Sequence, residues 1–183
     1  MEHLHKFTEA IDFAAKKHRF QRRKGPNDEP YINHPIEVMK FLSTVGEIED
    51  LDVLIAAVLH DTVEDTNTTK EEITEKFGSR VCGFVMEVTD DNNLPKAARK
   101  QAQIDKASQL SAGARLIKLA DKISNIEDIR DNPPVGWSVE RCQEYLVWSE
   151  KVVARIRGAN KNLEEYFDQI VISTGNSLEK RIE

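Results

Sequence analysis

Long apolar runs are missing from this chain. No stretch approaches the ~18 to 20 residues needed to cross a bilayer, so a membrane span is not expected. Cysteine is scarce: Cys82 and Cys142 stand far apart with no CxxC spacing, which leaves a disulfide framework or a zinc knuckle without support and points both thiols to the core. Positive charge is not in excess either. The 26 Lys and Arg are outnumbered by 32 Asp and Glu, for a net charge of −6. Broad nucleic-acid binding is therefore not expected, although a local basic patch for a phosphorylated small molecule stays open. The N-terminal stretch MEHLHKFTEAIDFAAKKH is amphipathic and has no apolar h-region, so a secretory signal is not expected and the cytoplasm is the default location. Internal repeats and low-complexity linkers are absent too.

What is present is helical periodicity, in 183 residues that suit one ordinary domain. Phe7, Ala10, Ile11, Ala14 and Ala15 repeat at three and four, predicting an amphipathic helix that fades into the basic segment His18 to Lys24. Gly25-Pro26-Asn27-Asp28 marks a loop. A second helix starts near His34-Pro35, and a third runs through Leu51, Leu54, Ile55, Val58 and Leu59. Thr68 with Glu71 reads as a capping box for a short helix closed by Gly78. Val81, Phe84, Val85 and Val88 continue as a helix, although their β-branched content leaves a strand open. Residues 89 to 110 read as a loop entering a charged helix, Ala114 to Ile129 as a strong helix, and Ser138 as the N-cap of a long one reaching about Arg157. Leu163, Tyr166, Phe167 and Ile170 support a last helix, and the residues after Gly175 read as a frayed tail. The expectation is an all-α fold of about eight to ten helices, with one domain over residues 1–175 and a tail over 176–183.

Against that background the string VLHDTVEDT, residues 58 to 66, stands out, because it places an imidazole and three carboxylates directly after an apolar run. If helix continues past His60, spacings of three and four put Asp61 beside Glu64 and Asp65. Like charges near a core repel and are partly desolvated, so a cation should sit among them. Asp121 has the same oddity, edging an apolar stripe between Ile117 and Ile123, with Asn125 one turn later. Either it faces a functional site, or it belongs to a solvated polar edge paired with Lys118 or Lys122. His34, His60, Asp61 and Asp121 form the candidate ligand set. Two imidazoles with two carboxylates suit Mn²⁺, Fe²⁺ or Zn²⁺ better than Ca²⁺, and hydrolysis of a phosphoric ester or anhydride is the chemistry such an ion serves.

His34, the His60-Asp61 pair and Asp121 resemble the H…HD…D signature of the HD-domain phosphohydrolases, which are all-helical metalloenzymes. The longer strings YINHP at 31 to 35, LHDTVEDT at 59 to 66 and KLADKISN at 118 to 125 resemble the hydrolase domain of RelA/SpoT-type alarmone enzymes. In size the chain is similar to the small alarmone hydrolases of animals, the metazoan SpoT homologues. The resemblance implies a single helical HD domain that removes the 3′-pyrophosphate from guanosine 3′,5′-bis(diphosphate), ppGpp, using one Mn²⁺ held by His34, His60, Asp61 and Asp121. It also implies that Glu64 and Asp65 are the catalytic pair, orienting the attacking water and managing its proton. Arg23 and Lys24 match the segment facing the base, Asn125 and Tyr145 match the nucleoside site, and Lys96 and Arg141 are candidate phosphate contacts. No synthetase region follows, so degradation without synthesis is implied.

Read without the resemblance, Arg19, Arg22, Arg23 and Lys24 are equally a basic helix end, and Lys96, Arg99 and Lys100 screen an acidic run. Trp148 reads as core packing. Removal of the 2′-phosphate from NADPH, or another HD-type nucleotide phosphatase, is the alternative activity. A binuclear centre is less expected, since His3, His5 and His18 all precede the motif region. A non-catalytic nucleotide-binding module is disfavoured by the intact Glu64 and Asp65. The expected partner is a small phosphorylated nucleotide, with neither nucleic acid nor membrane, and the oligomeric state is left open.

Overall fold

Residues 2–181, described by a computed structural model, form ten helices and no strand among the described residues. In chain order these are α1 (Glu2–Lys17), α2 (Asn33–Thr44), α3 (Leu51–Leu59), α4 (Thr62–Asp65), α5 (Lys70–Phe77), α6 (Ser79–Val88), α7 (Lys96–Ala107), α8 (Ala112–Asp131), α9 (Val139–Val153) and α10 (Lys161–Glu179). The all-α expectation holds. Short polar side chains set the helix starts: Asp50, Thr69, Ser111, Ser138 and Asn160 each accept a hydrogen bond from a backbone N–H two or three residues on, satisfying an otherwise orphaned donor.

The long α8 is the central element, packed against α2, α3, α6, α9 and α10. Its Ile117, Leu119, Ala120, Ile123 and Ile126 are fully buried, and they meet an α3 whose residues 55 to 59 are likewise sealed from solvent. At its start α8 approaches α6 so closely that a Cβ on Gly113 would lie 2.6 Å from the Phe84 ring, so any larger residue would force that ring to move. Between α1 and α2 the chain makes a hairpin-like loop closed by an isolated antiparallel bridge from Arg22 to Pro30, which sets Arg23 against Asn125 and Asp128 of α8 and joins the Lys24 carbonyl to the Val135 N–H. No helix among the described residues is long and apolar enough to cross a membrane, and Cys82 and Cys142 are free and buried.

Residues 81–88 form the helix expected there and not the strand left open, because Val81, Phe84, Val85 and Val88 repeat at three and four and all four are buried. Three local expectations need correction. The cap of α5 is Thr69, one residue later than Thr68, whose hydroxyl instead meets Thr66 Oγ1 at 2.8 Å. The α9 helix stops at Val153, and the turn that follows reaches Gly158 at φ +88. Finally, residues 176–179 are not a tail: α10 passes through Gly175 because Thr174 and Leu178 continue its buried stripe, and Leu178 packs with Ile129, Cys142 and Leu146. The last part of the expected tail, residues 182–183, lies outside the described residues.

Candidate active site

Three helices deliver four ionisable groups to one point. His34 comes from the first turn of α2, His60 and Asp61 from the C-terminal end of α3, and Asp121 from the middle of α8. His34 Nε2 lies 3.3 Å from Asp121 Oδ1 and 3.7 Å from Asp61 Oδ2. His60 Nε2 lies 3.0 Å from Asp61 Oδ2 and 3.9 Å from Asp121 Oδ1. One atom each from His34, His60 and Asp121 fall within 4.8 Å of one another, and all three residues are buried. The solvated-edge reading of Asp121 is therefore overturned, although the pairing with Lys122 is real, at 2.8 Å from Nζ to Oδ2.

The tautomers can be read from the surrounding bonds. His60 Nδ1 stands 2.8 Å from the Ala57 carbonyl, which can only accept, so that nitrogen carries the proton. Ser124 Oγ lies 2.6 Å from Glu37 Oε2 and 2.9 Å from His34 Nδ1; donating its proton to the carboxylate, the hydroxyl accepts from the imidazole. Both rings thus turn Nε2 inward, toward carboxylate oxygens, where a neutral imidazole offers its lone pair. His60 Nε2 has no hydrogen-bond partner despite being buried. Lone pairs facing anions at these distances require a positive charge between them, and a ligand set of two nitrogens and two oxygens fits a divalent transition ion. With no such ion, burial alone would lower the His60 pKa, but Asp61 and then Asp121 raise it to about 9. The cluster is so anionic that it holds a proton where a cation belongs. Burial opposes ionisation of Asp61 too, yet His60 beside it holds the carboxyl well below the usual range.

Around this cluster runs a layer that fixes it. Tyr31 Oη donates to Asp61 Oδ2 at 2.6 Å, and burial followed by the Asp61 charge pushes its phenol far above the ordinary range. Asn125 Nδ2 donates to Asp121 Oδ1 at 2.6 Å and accepts through Oδ1 from Arg23 Nη2 at 3.3 Å. Arg23 is committed further, with its Nε 2.7 Å from Asp128 Oδ2. The catalytic candidates follow on α4. Glu64 is half-buried, its Oε2 accepting from the Asp90 N–H at 2.8 Å. Burial raises its pKa to about 7, with the Asp90 N–H pulling the other way. Asp65 is exposed and accepts from Gln21 Nε2 at 2.8 Å.

Beside the cluster opens a cavity of about 350 Å³, lined in part by Arg23, Lys24, Tyr31, Asp65, Asn125 and Tyr145. Tyr31 and Asn125 belong both to its wall and to the shell of the cluster, so the two are contiguous. Four of the six expected substrate contacts, Arg23, Lys24, Asn125 and Tyr145, are thus brought together. Lys96 and Arg141 are not among the lining residues. Arg141 instead places its guanidinium 4.3 Å from the Trp137 ring centroid, and Trp137 does line the cavity. Lys96 is exposed at the start of α7.

Sequence reasoning missed Tyr31, Gln21, the Ser124–Glu37 relay and Trp137. A signal existed for one of them: Glu37 follows His34 by three residues on the same helix face. The others depend on contacts between distant segments.

A sequence profile of the HD domain matches residues 10–144. The Homo sapiens guanosine-3′,5′-bis(diphosphate) 3′-pyrophosphohydrolase MESH1 is 53% identical over 170 residues, spanning 93% of this chain and 95% of that protein. Its Drosophila melanogaster counterpart of the same name is 50% identical over 170 residues, spanning 93% and 95%. A solved structure of a metazoan SpoT ortholog described as hydrolysing ppGpp matches with a TM-score of 0.90 at 50% identity, covering 93% of this chain and 96% of that one.

Proposed function

Because the chain belongs to the HD-domain family, we propose that it is a ppGpp 3′-pyrophosphohydrolase, releasing pyrophosphate from the ribose 3′ position. One observation carries the assignment: two inward-facing imidazole lone pairs and two carboxylates converge on a point flanked by a carboxyl group at about 7 and by a nucleotide-sized cavity. The identity of half or more to named ppGpp hydrolases over nearly the whole chain supports the choice of substrate.

His34, His60, Asp61 and Asp121 are the groups that would hold the ion, and Mn²⁺ is the ion inferred. When bound, the ion supplies Lewis-acid charge that polarises a phosphoryl oxygen and acidifies water. The protein residues do the rest. Glu64, placed one helical turn beyond Asp61, receives the proton of the attacking water; its pKa near the working pH lets it be ionised when it accepts and readily protonated afterwards. Asp65, at the cavity wall, orients water through the carboxylate that Gln21 steadies. Lys24 and Tyr145 contact the nucleoside, while Arg23 braces Asn125 and Asp128 as the cavity floor. Lys96 and Arg141 offer positive charge to the 5′-diphosphate from outside the wall. The HD domain takes in the whole helical body through Glu179. The two buried free thiols agree with a cytoplasmic setting.

The test is product identity. Mn²⁺-loaded protein is expected to convert ppGpp to GDP and pyrophosphate, and an inert result on ppGpp would overturn the assignment. Incubation with NADPH in parallel separates the alternative, since orthophosphate released from NADPH with ppGpp untouched would transfer the assignment to a 2′-phosphatase.

A further inference from the structure

Glu64 is held by a stretch of chain that belongs to neither the cluster nor the cavity. Between α6 and α7 the backbone passes beside α4, where the Asp90 N–H donates to Glu64 Oε2 and Asn92 Nδ2 donates to the Glu64 carbonyl, each at 2.8 Å. This stretch is itself pinned at three places. Lys118 Nζ, on the buried face of α8, donates at 3.0 Å to the Val88 carbonyl, one of those the end of α6 leaves without an intrahelical partner. Gln103 Nε2 on α7 donates to Asp90 Oδ2 at 2.6 Å. Arg99 Nη1 donates to Asn92 Oδ1 at 2.6 Å.

Two of these anchors are costly to the fold. Gln103 Oε1 is buried with no hydrogen-bond partner, which leaves its desolvation uncompensated. Its amide cannot be turned over to relieve this, because Oε1 would then face the Asp90 carboxylate. Lys118 is a buried cation whose pKa is lowered by desolvation and by Lys122. Val88, Asp90, Gln103 and Lys118 together line a small cleft of about 40 Å³ that contains no part of the proposed active site. An apolar pair would pack this space at less cost, so what the two side chains add is the location of Asp90.

We propose that Gln103, with Lys118 behind it, is a positioning residue for Glu64: its amide fixes Asp90, and the Asp90 N–H fixes the carboxylate that takes the proton from water. The inference rests on the role given to Glu64 above. Neither Gln103 nor Lys118 lines the nucleotide cavity or supplies an atom to the ion cluster, but the Lys118 charge acts on Asp121, so it is the effect of Gln103 that should fall on the chemical step alone.

The experiment substitutes Gln103→Met, which keeps the volume and removes the amide, in the full chain loaded with Mn²⁺. Turnover of ppGpp is expected to fall about tenfold in kcat, with KM and Mn²⁺ affinity staying within about twofold of the parent. In a Glu64→Gln background the same substitution should cost nothing further, because the group it positions is gone. Lys118→Arg should retain more turnover than Lys118→Met. Should Gln103→Met fail to fold, Asp90→Ala removes the same contact from its other side, keeps the backbone N–H, and should give the same kcat-only loss. A parental kcat in Gln103→Met, a KM that rises in step, or an equal loss in both backgrounds overturns the inference alone. Parental turnover in Glu64→Gln would remove the role of Glu64 itself, and this inference with it.

Discussion

Helices α3 and α8 both bring acid groups to the same point, and they do so in opposite ways. The α3 helix is apolar along its buried length and releases His60 and Asp61 only at its end. There Asp61 keeps some exposure and the Tyr31 hydroxyl answers it. The α8 helix instead carries Lys118, Asp121, Lys122 and Ser124 in mid-length, buried among Ile117, Leu119, Ala120 and Ile123. A charge in that position needs compensation on the spot. Asp121 receives it from Lys122 Nζ at 2.8 Å and Asn125 Nδ2 at 2.6 Å. At the helix end the ionisable groups serve the site and little else; in mid-helix they also hold the fold.

The largest effects should divide along that line. Asp121→Ala and His60→Ala are both expected to reduce ppGpp turnover by at least about 10³-fold and to abolish Mn²⁺ binding, read by calorimetry. Their stability costs should differ. Asp121→Ala leaves Lys122 buried without its counterion and should cost about 3 to 5 kcal/mol in denaturant unfolding. His60→Ala takes the imidazolium from Asp61, but Asp61 keeps some exposure and the Tyr31 hydroxyl, so it should cost less than half as much in metal-free protein. Equal losses from the two substitutions would erase the distinction between the helices.

The same distinction decides what the sequence disclosed. The HD pair was legible because its oddity is local: an apolar run that ends in acids is visible in nine residues. Asp121 was half legible, since the apolar stripe around it is plain, but whether the stripe faces solvent or a site depends on α2 and α3 arriving from elsewhere. Gln21 on Asp65, Tyr31 on Asp61 and Glu37 on Ser124 are contacts across tens of residues that no periodicity encodes. Lys96 and Arg141 entered with the family resemblance and lie in none of its motif strings, and their absence from the cavity lining is set by how α7 and α9 pack. The end of α10 was misread because Gly175 looks like a stop, while the buried stripe through Leu178 overrides its weak helix preference.

A smaller effect separates the two consecutive carboxylates of α4, which share a helix and differ in burial. Glu64→Ala should keep the ion and lose about 10² to 10³ in kcat. Asp65→Ala, exposed and tethered by one amide, should lose less. In the parent protein kcat should climb with pH through about 7 as Glu64 gives up its proton. A flat profile between pH 6 and 8 with the chemical step rate-limiting would remove Glu64 as the acceptor.

One step further out, Ser124→Ala leaves every expected ligand in place and removes only the hydroxyl that links His34 Nδ1 to Glu37. Mn²⁺ affinity should weaken about tenfold, the usual scale for a ligand that loses the partner orienting it. Glu37→Gln, which keeps an acceptor for the hydroxyl, should weaken it less than that.

The smallest effect is on stability, and its sign follows from Glu64 alone. Its carboxyl has an ordinary value of 4.5 and is raised to about 7 in the fold, chiefly by burial, so the folded state binds the proton more tightly than the unfolded chain. A raised carboxyl costs nothing at pH 4, where both states are protonated. The cost grows between 4.5 and 7, as the unfolded chain ionises first, and is constant above 7. Glu64→Gln removes that cost, so metal-free Glu64→Gln should be more stable than the metal-free parent by about 1 to 2 kcal/mol at pH 8 and no more stable at pH 4. Added Mn²⁺ should stabilise both proteins at pH 8, because in this reading Glu64 is not a ligand. If the substitution cancelled the Mn²⁺ effect, Glu64 would belong with the helix-end ligands, and the boundary drawn between cluster and acceptor would have to move one turn along the chain.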